Sequence, residues 1–201
     1  MSKQAQKIVL ATGNAGKAKE FAQMLGAQFE IVLQTELDLI PAEETGTTFL
    51  ENAMLKARYA AEQSGLPAIA DDSGLEVDAL NGAPGVYSAR YAGDNATDAD
   101  NNARLLRELD GVNDANRTAR FRCVIVFVNS ADDPQPLIAD GAWEGRIASV
   151  ASGDGGFGYD PLFIDTADEQ GRTSAQLSPA EKNARSHRGQ AVQALCAQLK
   201  L

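Results

Sequence analysis

Ala70-Asp71-Asp72-Ser73-Gly74-Leu75 places two adjacent carboxylates directly after the apolar run Leu66 to Ala70. A short apolar run of this kind reads as a buried strand. Carboxylates that end such a run must reach water or a cation, and the residues just past a strand's carboxyl end are where α/β proteins hold their ligands. Side chains alternate along a strand, so Asp71 and Asp72 face opposite ways and serve different purposes. The same residues also suit a plain strand-to-turn junction, because Asp, Ser and Gly are common turn formers.

Working outward, Lys7 to Thr12 reads as a first buried strand, and Lys17 to Leu25 as a helix with Ala18, Phe21, Ala22 and Leu25 on one face. Phe29 to Leu33 resumes a strand and Pro41 to Gly46 is loop. Phe49 to Gln63 is a helix rich in Ala, Leu and Glu that Gly65 closes. Beyond the two acids, Asp98 to Leu109 is a helix with Thr97 as its N-cap, and Thr118 to Val128 is the longest strand. Pro136 to Trp143 and Gly145 to Ala148 read as two shorter strands. Ser152 to Gly158 carries four glycines in seven residues and is irregular. Ser178-Pro179-Ala180-Glu181 starts a helix, with a capping serine, a proline at the first helical position and a glutamate at the third. Alternation early and strands late predict an α/β fold built on a mixed sheet. The 201 residues contain no repeat or interdomain linker, so residues 1–201 are read as one domain.

Composition narrows the function classes. With 44% hydrophobic and 23% charged residues the chain is an ordinary globular protein, and no run is long enough to span a membrane. The first apolar run is too short for a secretory signal, which gives an expected location in the cytoplasm. A formal charge of −10 disfavours binding to DNA or RNA, which needs clustered Lys and Arg. It leaves room for a small anionic ligand bound through a few cations and a divalent metal, since the metal itself takes carboxylates. Cys123 and Cys196 both lie in apolar patterns and are read as buried thiols rather than a disulfide.

Four further segments carry candidate chemistry. Thr12-Gly13-Asn14-Ala15-Gly16-Lys17 joins the first strand to the first helix, and its small residues let backbone N–H groups approach a phosphate at the helix N-terminus. The spacing departs from a P-loop, which needs four residues between its glycines and a Ser or Thr after the Lys; a simple strand-to-helix turn is the competing reading. Glu43 and Glu44 are either a solvated acidic turn or the source of a metal ligand completing a site with Asp71 or Asp72. Asn52 and Lys56 lie one turn apart and share a helical face. Gly153 to Pro161 sets Phe157 and Tyr159 among glycines, which suits either a flat base stacking on a ring or a hairpin with Phe157 in the core. Lys182 to Arg188 contains the only histidine; Lys182 and His187 would lie about 140° apart on one continuous helix and converge only if Ser186 breaks it and caps a second one.

In order along the chain, Thr12-Gly13-Asn14 with Lys17, Asp71 to Leu75, Gly82 to Arg90, Gly155 to Pro161 and Ser186-His187-Arg188 resemble the inosine and xanthosine triphosphate pyrophosphatases. The similarity spans nearly the whole chain, with Pro84-Gly85-Val86-Tyr87-Ser88-Ala89-Arg90 uninterrupted. The resemblance implies an elongated mixed sheet flanked by helices, with two lobes and a central nucleotide cleft. It implies hydrolysis of ITP, dITP and XTP to the monophosphate and pyrophosphate, with Mg2+ as cofactor and a homodimeric assembly. Carried over by position, Asp72 is the general base and a metal ligand, Glu44 joins the metal shell, and Thr12, Gly13, Asn14, Ala15, Gly16 and Lys17 hold phosphates. Lys56 adds positive charge near the triphosphate, and Ser73, Phe157, Gly158, Tyr159, Asp160, Lys182, His187 and Arg188 contact the nucleotide. A noncatalytic sensor of the same purine nucleotides is the alternative of a different class.

Overall fold

The computed structural model describes residues 6–25 and 29–200. Among the described residues six strands form one sheet in the order β2-β1-β3-β4-β5-β6: β1 Gln6–Leu10, β2 Phe29–Leu33, β3 Ala68–Val77, β4 Thr118–Val128, β5 Leu137–Ile147 and β6 Phe163–Asp165. The α-helices among the described residues are α1 Ala15–Leu25, α2 Phe49–Ser64, α3 Asp98–Glu108, α4 Pro179–Arg185 and α5 His187–Leu199. The β1 strand pairs in parallel with β2 and with β3, whereas β5 and β6 are antiparallel, so the sheet is mixed as expected. Parallel neighbours require the crossovers that α1 and α2 supply.

Local chemistry explains most element ends. Thr48, Thr97 and Ser178 each accept the third backbone N–H of the helix they begin, and each closes a reciprocal capping box. Gly65 ends α2 with a left-handed φ of 67° and donates its N–H to the Ala61 carbonyl. Ser186 is extended at φ −65° and ψ 155° between α4 and α5, so the terminal region is two helices rather than one.

Two expectations are corrected. The strand bearing Asp71 and Asp72 does not end at them but continues to Val77. Leu75 and Val77 are fully buried with Glu76 half-buried between them, and this alternation outweighs the turn preference of Asp-Asp-Ser-Gly. Likewise Leu137–Ile147 is a single strand where two were expected. Gly145 does not interrupt it, because a Cβ there would lie 2.4 Å from the Ile164 carbonyl oxygen; the glycine admits the close approach of β6.

The chain divides into two compact units. One comprises the chain through Asp72 together with Cys123–Gly141 and Arg188 onward, and the other comprises Ser73–Arg122 and Ala142–His187. The first has a core of Ile8, Leu10, Phe21, Leu25, Ile69, Ile125 and Leu195. The second is built on Leu75, Val77, Leu105, Leu109, Trp143, Leu162 and Phe163. Cys123 is buried in the first and Cys196 is half-buried, and neither forms a disulfide. Among the described residues no helix is long and apolar enough to cross a membrane.

Phe21 is 0% exposed in the first core. Phe21→Ala should therefore lower stability by about 3–5 kcal/mol, read as a shift of the urea unfolding midpoint with the slope unchanged.

Candidate active site

In the first unit, β3 carries Asp71 and Asp72 to opposite faces, and each carboxylate meets its own cations. Asp71 has no exposed side-chain surface; its Oδ2 lies 2.8 Å from Lys17 Nζ and 3.5 Å from the Arg188 guanidinium. Burial is the largest influence on this carboxyl and pushes its pKa up. Lys17, Arg188 and Lys56 together outweigh that and hold it well below the usual carboxylate range. Arg188 also pairs with Glu20, one turn after Lys17 on α1.

Asp72 is only 6% exposed and is held at both oxygens by α2. Lys56 Nζ donates to Oδ1 at 2.9 Å, and Asn52 Nδ2 donates to Oδ2 at 3.3 Å. The same ammonium donates to Glu44 Oε1 at 2.6 Å. Burial raises the pKa of Asp72 and the Glu44 carboxylate adds to it, while Lys56 and Lys17 oppose; the net direction is upward. Lys56 is raised in turn, because Asp72, Asp71 and Glu44 together outweigh the desolvation that would lower it. Asn52 and Lys56, predicted to share a helical face, both reach Asp72.

Glu44 and Asp72 flank one ammonium, so two carboxylates are available to a hard cation. Magnesium takes one or two carboxylates and fills its shell with water and phosphate oxygens, and the pair fits that need. Among the described residues no group of three or more His, Cys, Asp and Glu is arranged to hold a metal without such help.

The Thr12–Lys17 turn enters α1 with Asn14 as its cap: Asn14 Oδ1 accepts the Lys17 N–H at 3.0 Å, and Thr12 Oγ1 accepts the Asn14 N–H at 3.2 Å. Gly13, Asn14 and Ala15 are exposed and Gly16 is half-buried. Lys17 reaches from this turn to Asp71, which joins the phosphate-loop candidate to the acidic pair.

In the second unit Asp160 is the hub of the glycine-rich loop. Its Oδ2 accepts from Lys182 Nζ at 2.6 Å and from the Phe157 N–H at 2.8 Å, and its Oδ1 accepts from Ser174 Oγ at 2.8 Å. Gly156 sits at φ 75°, and a Cβ there would lie 2.0 Å from Asp160 Oδ2, so only glycine serves. The Lys182 ammonium stands 4.7 Å from the centroid of the Phe157 ring. Gly158 is held by α3, its N–H donating to Asp98 Oδ2 at 2.7 Å and its carbonyl accepting from Asn102 Nδ2 at 2.8 Å. The Tyr159 hydroxyl donates to the Ser88 carbonyl at 2.8 Å, and Ser73 is half-buried at the start of this unit.

Three residues of the terminal region go to separate clusters. Lys182 joins Asp160 and Phe157, His187 stacks on Phe121 with ring centroids 4.8 Å apart, and Arg188 turns to Asp71 and Glu20. Glu20 and Ser174 were not singled out by the sequence. The helical spacing of Lys17 with Glu20 was the available signal for the first; Ser174 had none.

With this geometry in hand, comparisons with known proteins are informative. Residues 8–198 match the profile of the Ham1 family. The dITP/XTP pyrophosphatase of Thioalkalivibrio sulfidiphilus is 58% identical over 194 residues, covering 96% of this chain and 98% of that protein. That of Vibrio parahaemolyticus is 55% identical over 195 residues, covering 96% of each. A solved HAM1 protein from Coxiella burnetii superposes with a TM-score of 0.88 at 50% identity, covering 97% of this chain and 98% of that one. A match along almost the whole length, in sequence and in fold, assigns this chain to the Ham1 family.

Proposed function

We propose that this chain hydrolyses the noncanonical purine nucleoside triphosphates ITP, dITP and XTP between the α and β phosphates, releasing pyrophosphate and the monophosphate. The observation that carries the reading is the state of Asp72. It is buried, fixed at both oxygens by α2, and set beside Glu44 and Lys56. Close relatives named dITP/XTP pyrophosphatases supply the substrate class.

In-line attack by water on phosphorus needs a base that takes a proton and positive charge that stabilises the leaving pyrophosphate. Asp72 serves as the base: its carboxylate is buried and fixed at both oxygens by Lys56 and Asn52. Lys56, Lys17 and the exposed N–H groups of the Gly13–Gly16 turn hold the polyphosphate. Asp72 and Glu44 would hold magnesium, which supplies charge neutralisation on the phosphate oxygens when bound.

The purine ring, as distinct from the phosphates, is assigned to the glycine-rich loop. Phe157 offers a ring for stacking, with Tyr159, Gly158, Ser73 and His187 around the nucleotide, and Arg188 acts from beside Asp71. Lys182 carries only donors, so it suits the 6-keto acceptor of hypoxanthine and xanthine and mispairs with the amino donor of adenine. Leaving buried polar groups mispaired discriminates by roughly 10⁴ or more. The same reading puts the chain in the cytoplasm beside the nucleotide pool, without nucleic acid as a partner, as a single bilobed domain and as a homodimer; light scattering at micromolar concentration measures the last.

Pyrophosphate release from a panel of nucleoside triphosphates tests the activity: release from ITP, dITP and XTP with magnesium, loss of it with EDTA, and little from ATP are the expected results. Tight binding without release would instead indicate a sensor. Asp72→Asn should lower kcat by about 10²-fold or more while calorimetry still detects nucleotide binding. Lys17→Ala should weaken binding of the triphosphate more than of the monophosphate; equal losses would mean that Lys17 serves Asp71 alone.

A further inference from the structure

Asn52 is 0% exposed on α2 and uses its two amide atoms on two different parts of the first unit. Its Oδ1 accepts the Gly46 backbone N–H at 2.8 Å, and its Nδ2 donates to Asp72 Oδ2 at 3.3 Å. A backbone N–H can only donate, so the atom facing Gly46 must be the oxygen; the amino group is thereby obliged to face the carboxylate. No other common side chain of this size offers an acceptor on one side and a neutral donor on the other. Glu44 lies two residues before Gly46, in the same loop, and its carboxylate meets the ammonium that also holds Asp72 Oδ1.

Gly46 is shaped for this contact. A Cβ at that position would stand 2.6 Å from Asn52 Oδ1, 2.7 Å from Glu51 Cβ and 3.0 Å from the Asn52 backbone nitrogen. Two of those atoms are fixed to the first turn of α2, so the loop and not the helix would have to move. Immediately beyond it Thr47 and Thr48 are tied to Glu51 at 2.7 and 3.0 Å, which pins the following residues to the helix start.

We propose that Asn52 is a positioning residue, locking the Asp72 carboxylate and the Glu44-bearing loop into one arrangement through the Gly46 N–H. The proposal rests on the hydrolase reading above and extends it to a residue that acts through Asp72. Its chemistry is a register: the base and the second carboxylate are referred to a single amide. Partners of this outer kind typically change activity or metal affinity by about 10- to 100-fold when removed.

The test uses the full chain with dITP and magnesium, reading kcat, KM, the magnesium concentration at half-maximal rate, and the melting temperature. Asn52→Ala removes both bonds, whereas Asn52→Asp keeps an acceptor for Gly46 and removes the donor to Asp72. Both should lower kcat by about 10- to 100-fold with KM for dITP within about threefold. Gly46→Ala, which leaves Asn52 in place, should raise the magnesium requirement and lower kcat.

Wild-type kcat in Asn52→Asp would overturn the proposal. So would a loss of kcat matched by the unfolded fraction in every variant, and if Asn52→Ala does not fold, Gly46→Ala and Asn52→Asp carry the decision. A wild-type chain that releases no pyrophosphate would overturn the activity itself and this role with it; release by wild type with unchanged variants would overturn the Asn52 role alone.

Discussion

Two carboxylates side by side on a strand can enter an interior only if cations meet them there, and this compensation is the constraint on which the first unit depends. Asp71 is met by Lys17 from α1 and Arg188 from α5; Asp72 is met by Lys56 from α2. Three helices far apart in sequence are thus tied to one strand. Buried ion pairs add little net stability, because desolvation offsets attraction, yet removing one partner costs about 3–5 kcal/mol. What they fix is arrangement: once β3 carries its acids inward, the first turns of α1 and α5 and the middle of α2 have one place to go.

Alternation along β3 then turns two chemically identical side chains into different groups. Asp71, facing Lys17 and Arg188, is held strongly ionised and orders the cations around it. Asp72, with burial prevailing over Lys56 and with Glu44 nearby, moves the other way. Exchanging the two environments would require slipping β3 by one residue, which would also turn Leu75 and Val77 out of the core of the second unit.

The parts of the fold that local chemistry decides were legible in the sequence: Phe29–Leu33 and Thr118–Val128 as strands, the capped starts of α3 and α4, and Gly65 closing α2. The misreadings share one cause. At Asp71 to Gly74 and at Gly145 the local preference is for a turn, and what overrides it is packing: the burial of Leu75 and Val77 in one case, the backbone of β6 in the other. The site followed the same division. Motif order pointed to Asp72, Lys56, Lys17 and Lys182, but Glu20 and Ser174 became visible only when the fold brought them to Arg188 and Asp160.

The second unit answers a different physical problem, that of giving an irregular loop one conformation. Glycines at 153, 155, 156 and 158 let the chain turn sharply but leave it with much conformational entropy to lose. Asp160 offsets that loss by concentrating bonds: its carboxylate gathers the Phe157 N–H, the Lys182 ammonium and the Ser174 hydroxyl, while α3 takes both polar groups of the Gly158 peptide. Phe157 is thereby fixed in backbone position under the Lys182 ammonium. Because one carboxylate sets both the ring and the cation, neither can shift without the other, and a flat base meeting that pair would meet a preformed surface. Preformation of this sort limits the ordering cost of binding, which is where a loop of four glycines would otherwise lose affinity.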